Sequence, residues 1–181
     1  MTIQLALNEN DFLTYHLYSA SKSDRIKKKR NRNKVMLPLA YLVLAFLLFN
    51  LGDITLGVIF LFLGLLWFLF YPMYETKRYI KHFQGHIKDT FKNRIDASAT
   101  IQLDDDFLSE KSDVGESKIK TTEIEEINEI DSAVYIKLKT GESIILPKNV
   151  INNMEEVIIY LKKLASQLNV NYNIETDWIW K

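Results

Sequence analysis

The sequence predicts an α+β membrane protein, in which a two-helix transmembrane hairpin is joined to a small antiparallel β barrel or sandwich closed by a C-terminal helix. Three observations predict this fold. Residues 35–52 and 54–74 contain no Asp, Glu, Lys or Arg. From residue 97 onward, apolar and polar residues alternate, as they do in half-buried strands. Between residues 154 and 168 the apolar residues recur instead at helical spacing, on one face.

The two uncharged segments predict the membrane hairpin. As helices with a rise of 1.5 Å per residue they would span about 27 and 31 Å, which matches the hydrocarbon core of a bilayer, roughly 30 Å thick. Residues 50–53, which include a glycine, predict a very tight turn between them. Gly57 and Gly64 lie seven residues apart, hence on one face, where we expect the first helix to approach closely.

Basic residues flank the hairpin on both sides and are missing from its turn. Residues 22–34 contain eight Lys and Arg, six more follow between residues 77 and 94, and residues 50–53 contain none. The positive-inside rule therefore predicts two spans in the inner (cytoplasmic) membrane of the cell, with both termini in the cytoplasm.

The basic residues nearest the hairpin are expected to contact the lipid bilayer, because anionic lipids attract Lys and Arg. A nucleic-acid patch is the alternative interpretation of such a run. Its position directly beside an apolar helix favours lipid contact, and no nucleic-acid partner is expected. The predicted lipid-interface residues are Lys27, Lys28, Lys29, Arg30, Arg32, Lys34, Lys77, Arg78 and Lys81.

Charge also divides the chain along its length. Residues 1–95 carry a net charge of +8, from 14 basic and 6 acidic residues, and residues 96–181 carry −8, from 9 and 17. The predicted parts are an N-terminal strand, helix and basic run (1–34), the hairpin (35–74), a basic amphipathic helix beside the membrane (75–96), a cytoplasmic β domain with its helix (97–168) and an extended tail (169–181).

The N-terminal strand is predicted by alternation in residues 2–7, with Ile3, Leu5 and Leu7 on one side. A lone strand has nothing to pair with in water, so we expect it to join the cytoplasmic β domain. A short helix over residues 11–19 is expected to follow. The β domain itself is expected to contain roughly six antiparallel strands, with turns near residues 104–106, 131–132 and 140–142.

Three motifs in this layout resemble a known family. They are the membrane exit Tyr-Pro-Met-Tyr (71–74), the strand Glu-Ser-Lys-Ile (116–119) and the strand end Ile-Ile-Leu-Pro-Lys (144–148). With them, residues 1 to about 165 resemble the YcxB-like family of small bacterial membrane proteins. That resemblance implies a cytoplasmic domain similar to bacterial pleckstrin-homology-like domains, and it implies no particular activity.

Candidate catalytic and metal sites are few. His82, His86 and Asp89 could share one helix face and form half of a metal site, but a fourth ligand is lacking and a polar face at the lipid interface is favoured. Residues 104–106 (Asp-Asp-Asp) lack the glycine and distal glutamate of a calcium loop, so we expect a solvated turn. The sequence therefore predicts no metal and no other cofactor.

An enzyme is not expected, because the sequence contains three histidines, no glycine-rich phosphate loop and no Gly-x-Ser-x-Gly elbow. A transporter is also disfavoured, since neither apolar segment contains an ionisable residue to guide a polar substrate. A phosphoinositide pocket is disfavoured too, because residues 97–146 contain five basic and twelve acidic residues.

Two function classes remain. The first is a membrane-anchored interaction or regulatory module whose acidic β domain binds a protein partner, through Glu123, Glu125, Glu126 and Glu129. The alternative interpretation is that these glutamates form only the solvated face of a strand or turn, without a partner. The second class is an immunity-type or stress-protective membrane protein that acts through its hairpin. The sequence predicts no oligomeric state.

Overall fold

The computed structural model describes residues 1–113 and 115–181. Its helices are α1 (Glu9–Lys22), α2 (Asp24–Asn50), α3 (Ile54–Thr90) and α4 (Met154–Leu168). Its strands are β1 (Thr2–Ala6), β2 (Ser98–Leu103), β3 (Phe107–Ser112), β4 (Gly115–Lys120), β5 (Ile124–Ile130), β6 (Ala133–Leu138), β7 (Ser143–Pro147) and β8 (Asn171–Glu175), with a 3₁₀ turn at Thr121–Glu123. The chain divides into an α+β unit, residues 1–15 and 84–179, and a helical unit, residues 16–83 and 180–181.

The helical unit contains the predicted hairpin. α2 ends at Asn50, and the next helix begins only four residues later, at Ile54. Gly52 takes a φ of 85°, in the left-handed region where a side chain is disfavoured. Asp53 then caps α3, because its Oδ1 accepts a hydrogen bond from the Leu56 amide at 3.0 Å. The tight turn at residues 50–53 is therefore confirmed.

Both hairpin helices extend beyond the uncharged segments. α2 begins at Asp24, within the basic run, and Ser23 caps it by accepting a hydrogen bond from the Ile26 amide. α3 continues through Pro72 and ends at Thr90, so the amphipathic helix predicted over residues 75–96 is the last part of α3 and stops six residues early. Residues 91–96 form turns instead of a helix.

The two glycines of the hairpin differ in their surroundings. A Cβ on Gly57 would lie 2.4 Å from the nearest ring carbon of Phe49, which is closer than real side chains approach. A Cβ on Gly64 would lie 3.5 Å from the Cβ of Tyr41, an ordinary contact. A side chain at residue 57 would thus require the Phe49 ring to move, whereas a methyl group at residue 64 would make only an ordinary contact.

The α+β unit contains two four-stranded sheets, with strand orders β1-β2-β3-β4 and β7-β6-β5-β8. The prediction was a barrel or sandwich of roughly six antiparallel strands, and the barrel is wrong because the strands form two separate sheets. β4 and β5 belong to different sheets because the 3₁₀ turn redirects the chain between them. β8 moreover pairs with β5 in parallel, which no antiparallel meander contains.

The N-terminal strand joins the first sheet, as predicted. β1 pairs antiparallel with β2, and Leu5 lies opposite Ala99 in this register. Ile3 and Leu5 point into the core, whereas Gln4 between them is exposed. Alternation over residues 2–7 thus predicted the strand and the burial of Ile3 and Leu5, although β1 ends at Ala6, one residue before the half-buried Leu7.

The core of the α+β unit lies between the two sheets and α4. Leu161 and Leu164 of α4 are fully buried, together with Ile127 of β5 and Ile136 of β6. Burial of each such side chain stabilises the fold by about 1.5–3 kcal/mol relative to an exposed position. The apolar face predicted for residues 154–168 is thus the face that covers the sheets.

The chain reverses after α4 and adds one more strand. Asn169 takes the left-handed conformation, with φ 53° and ψ 41°, and the Val170 amide donates to the Ala165 carbonyl at 3.0 Å. This arrangement is a common helix C-terminus, in which asparagine replaces the usual glycine. It sends the chain back along the sheet as β8, so residues 171–175 of the tail predicted to be extended form a strand, whereas residues 176–181 do not.

Candidate functional site

A buried ion pair joins the two long helices of the helical unit. Arg30 Nε donates to Glu75 Oε2 at 3.0 Å, and the Tyr71 hydroxyl donates to the other carboxylate oxygen at 3.0 Å. The Glu75 side chain is 4% exposed and that of Arg30 is 23% exposed. Because a buried carboxylate is costly unless it is paired and hydrogen-bonded, these two partners stabilise the position of Glu75.

The last residues of the chain pack on the same arginine. The Arg30 guanidinium lies 4.7 Å from the centroid of the Trp180 ring, in cation–π geometry, and its Nη2 donates to the Lys181 carbonyl at 2.5 Å. The Trp180 ring also meets Tyr79 edge-on, with centroids 5.7 Å apart. We call Arg30, Tyr71, Glu75, Tyr79 and Trp180 the Arg30 cluster.

The Arg30 cluster was not predicted from the sequence, where Arg30 was only one of nine lipid-interface residues. A signal was present, because Glu75 is the single acidic residue between Asp53 and Asp89. A lone carboxylate among basic residues at the end of an apolar helix is a natural ion-pair partner. Which of the eight Lys and Arg in residues 22–34 pairs with Glu75 depends on how α2 is rotated about its axis against α3, which the sequence does not display.

The other predicted lipid-interface residues lie along the same two helices. Lys34 is half-buried, with its ammonium 4.5 Å from the centroid of the Phe68 ring. Arg78 is exposed and stands 6.0 Å from the centroid of the Tyr74 ring. The remaining six are exposed: Lys27, Lys28, Lys29, Arg32, Lys77 and Lys81.

In the α+β unit, the predicted partner-binding glutamates fall into two environments. Glu123 is exposed in the 3₁₀ turn. Glu125 and Glu126 share one cation, with Lys137 Nζ at 2.9 and 3.2 Å. These two carboxylates also raise the pKa of Lys137, chiefly through the hydrogen bond to Glu125. We call Glu123, Glu125 and Glu126 the acidic rim, in which Glu123 and Glu125 are exposed and Glu126 is half-buried.

Glu129 is different, since it is buried and 7% exposed. Its Oε1 accepts from Lys148 Nζ at 2.8 Å and its Oε2 accepts from the Tyr172 hydroxyl at 2.8 Å. Burial alone raises the pKa of Glu129, but the hydrogen bonds from Lys148 and Tyr172 and the Lys148 charge outweigh it and hold the pKa below its ordinary value. Glu129 therefore stabilises the fold between β5, β8 and the end of β7.

A second polar contact lies beside Glu129 on the same pair of strands. Asn128 is buried, and its Oδ1 accepts a hydrogen bond from Asn173 Nδ2 at 2.8 Å. The tail thus supplies the hydroxyl and the amide that satisfy two buried polar residues of β5. Sequence analysis missed this network because it depends on the parallel pairing of β8, for which the five-residue strand gives no local signal.

The candidate metal residues do not come together as a site. Within the described ranges, 1–113 and 115–181, no group of three His, Asp or Glu is placed to hold a metal ion. His86 contacts Thr90 Oγ1 at 3.3 Å, and the ring of His82 packs against Phe83. Asp89 follows on the same helix and is exposed.

The Asp-Asp-Asp turn at residues 104–106 has a structural contact instead. Asp105 accepts a hydrogen bond from the Tyr160 hydroxyl of α4 at 3.2 Å. Burial, and after it the hydrogen bond to Asp105, raises the pKa of Tyr160 to about 12. The hydrogen bond from this tyrosine therefore connects the β2–β3 turn to α4.

Comparison with known proteins concerns the α+β unit. Residues 103–164 match the family model described as YcxB-like protein. The match runs from the end of β2 into α4, and it confirms the predicted resemblance to the YcxB-like family over that segment. Neither a curated protein nor a solved structure matches this chain.

Proposed function

We propose that this chain is a membrane-anchored interaction module, in which the hairpin holds the protein in the inner membrane and the α+β unit binds a protein partner in the cytoplasm. Support for the anchor comes from the surface of α2 and α3. Both helices are long and apolar enough to cross a bilayer, yet only 6% and 17% of their most apolar windows are buried. Apolar surface of that extent is unfavourable in water and stable in lipid.

The orientation of the anchor is proposed from its charges. The exposed Lys and Arg of the helical unit lie at the ends of α2 and α3 that are remote from the turn at residues 50–53. Cytoplasmic segments beside membrane helices are enriched in such residues. The proposal therefore keeps both ends of the chain in the cytoplasm and the turn outside.

The class of partner is proposed from the charge of the α+β unit, which is the observation that carries the function. Residues 1–15 and 84–179 contain 20 acidic and 11 basic residues, a net charge of −9. Polyanions such as nucleic acid or phosphoinositide headgroups would be repelled by this surface, whereas a protein with a basic patch would be attracted. We place its contact on the acidic rim rather than on the buried Glu129.

Crosslinking in intact cells tests this proposal. The variant Glu123→Lys/Glu125→Lys reverses two charges on the acidic rim. The matched control Glu116→Lys/Glu142→Lys makes the same change in net charge at two exposed residues elsewhere on the unit. We expect the crosslinked partner to be lost from the first variant and retained by the second. If both folded variants capture the partner equally well, the acidic rim is not the contact surface.

The second candidate function places the activity in the hairpin, as in an immunity-type or stress-protective protein. The observation that favours it is the Arg30 cluster, because a buried ion pair fixes one arrangement of α2 against α3. Exchange of residues 35–74 for an unrelated two-helix anchor separates the candidates. The interaction module keeps its partner after the exchange, and the hairpin function is lost.

A further inference from the structure

A groove runs along the outside of the helical unit. It has a volume of about 310 Å³, with Tyr41 of α2 on one side and residues of α3 on the other. The α3 residues that line it are Leu63, Leu66, Trp67, Phe70, Tyr71 and Tyr74. Every one of these side chains is aliphatic or aromatic, and the only polar atoms that they contribute are three hydroxyls and one indole N–H.

The stretch of α3 that lines the groove is about as long as one leaflet of a bilayer is thick. From Leu63 to Tyr74 the helix rises by about 16 Å, at 1.5 Å per residue. Half of a hydrocarbon core of roughly 30 Å is about 15 Å. The rings of Trp67 and Tyr71 stack with their centroids 5.1 Å apart and their planes inclined by 27°, and they line the part of the groove nearer the basic end.

A cation stands at the basic end of this groove. Arg78 follows Tyr74 by one helical turn, and its guanidinium lies 6.0 Å from the centroid of the Tyr74 ring. Arg78 is exposed, so its hydrogen-bond donors are open to a ligand. A planar guanidinium suits a phosphate group, which it can bind through two hydrogen bonds.

We propose that the groove is a binding site for one anionic phospholipid of the inner leaflet, with an acyl chain along Leu63–Tyr74 and the phosphate on Arg78. The inference rests on the membrane anchorage proposed above. An apolar channel of one-leaflet length that ends at an arginine matches an amphiphile with a long apolar tail and an anionic head. The surrounding bilayer supplies such molecules directly to the open side of the groove.

Quenching of Trp67 by brominated lipids tests the site. Trp178→Phe/Trp180→Phe leaves Trp67 as the single tryptophan of the full chain, which is reconstituted in phosphatidylcholine vesicles. Brominated phosphatidylglycerol or brominated phosphatidylcholine is then titrated in at low mole fraction. We expect half-maximal quenching at about fivefold lower mole fraction of the anionic lipid, the preference that one well-placed arginine supplies.

Two charge variants separate the site from general attraction at the membrane surface. Arg78→Gln should abolish the preference for phosphatidylglycerol, and Lys77→Gln, which removes the same charge from the adjacent face, should retain it. Equal quenching by both lipids, or equal loss in the two variants, overturns the lipid site and leaves the anchor standing. If neither lipid quenches Trp67, this residue does not lie in the bilayer, and both the lipid site and the proposed membrane anchorage of the hairpin are wrong.

Discussion

Arg30 Nε lies 3.0 Å from Glu75 Oε2, so one buried ion pair connects α2 and α3 across 45 residues of sequence. The turn at residues 50–53 joins the same helices at their other ends. The two helices are therefore joined at one end by the turn and at the other by the ion pair. A hairpin held in this way has a defined pairing of its two helices.

The Arg30–Glu75 pair makes a first prediction. Glu75→Gln leaves the arginine charge without its partner, and we expect a loss of about 1–3 kcal/mol, below the roughly 3–5 kcal/mol of a fully buried pair because Arg30 is partly exposed. Arg30→Met/Glu75→Met removes both charges and should recover most of this loss. Thermal unfolding of the full chain in detergent measures both. A double variant as unstable as Glu75→Gln would contradict the prediction.

Glu129 makes the stability of the α+β unit sensitive to acid. Its pKa is lower in the folded protein than its ordinary value of 4.5, so the stabilisation is fully present above about pH 4.5. This stabilisation is lost as the pH falls through the lowered folded-state pKa, because the carboxylate of Glu129 takes up its proton at a higher pH in the unfolded chain than in the folded protein. Unfolding by urea between pH 6 and pH 3 should show this loss. In the control Glu129→Gln, the free energy of unfolding should depend less on pH below pH 4.5. An unchanged dependence would mean that other carboxylates cause the loss.

The N-terminal strand gives a prediction with a neighbouring control. Leu5→Asp places a carboxylate in the core opposite Ala99, and we expect a loss of about 3 kcal/mol in the free energy of unfolding. Gln4→Asp introduces the same group on the exposed side of the same strand and should cost less than 1 kcal/mol. Limited proteolysis of the two variants reports the difference. Equal resistance to the protease would show that β1 contributes little to the fold.

Gly57 and Gly64 give a matched pair within the hairpin. Gly57→Ala should destabilise it more than Gly64→Ala, because only the first new methyl group meets the Phe49 ring. In a Phe49→Ala background the difference should disappear, since the ring that causes the clash is gone. Thermal unfolding in detergent measures all four combinations. A difference that persists without the ring would place its cause elsewhere in the hairpin.

Sequence reasoning was most successful where a local pattern determines the structure. The turn at residues 50–53 follows from a break between two uncharged segments and a glycine, and β1 follows from alternation. The apolar face of α4 follows from helical spacing. Each of these features depends on neighbours in the chain, which the sequence displays directly.

Pairing between distant segments was predicted less well. The parallel register of β8 on β5 places Tyr172 opposite Ile127, and nothing in either strand encodes that choice of partner. The burial of Glu129 follows from this pairing, so a residue predicted for a partner surface is part of the interior. The choice between a barrel and a two-sheet sandwich stayed open for a similar reason, because the division into two sheets depends on one 3₁₀ turn between otherwise ordinary strands.

The pairing of Leu5 with Ala99 has a consequence for the order of folding during synthesis. β1 leaves the ribosome first, but its partner β2 follows only after both apolar helices have been made. Closing a loop of that length as a free coil would cost about 4 kcal/mol in chain entropy. A hairpin closed by the Arg30–Glu75 pair shortens this path, because it joins α2 to α3 inside the loop. We therefore expect β1 to pair with β2 only after the hairpin has formed.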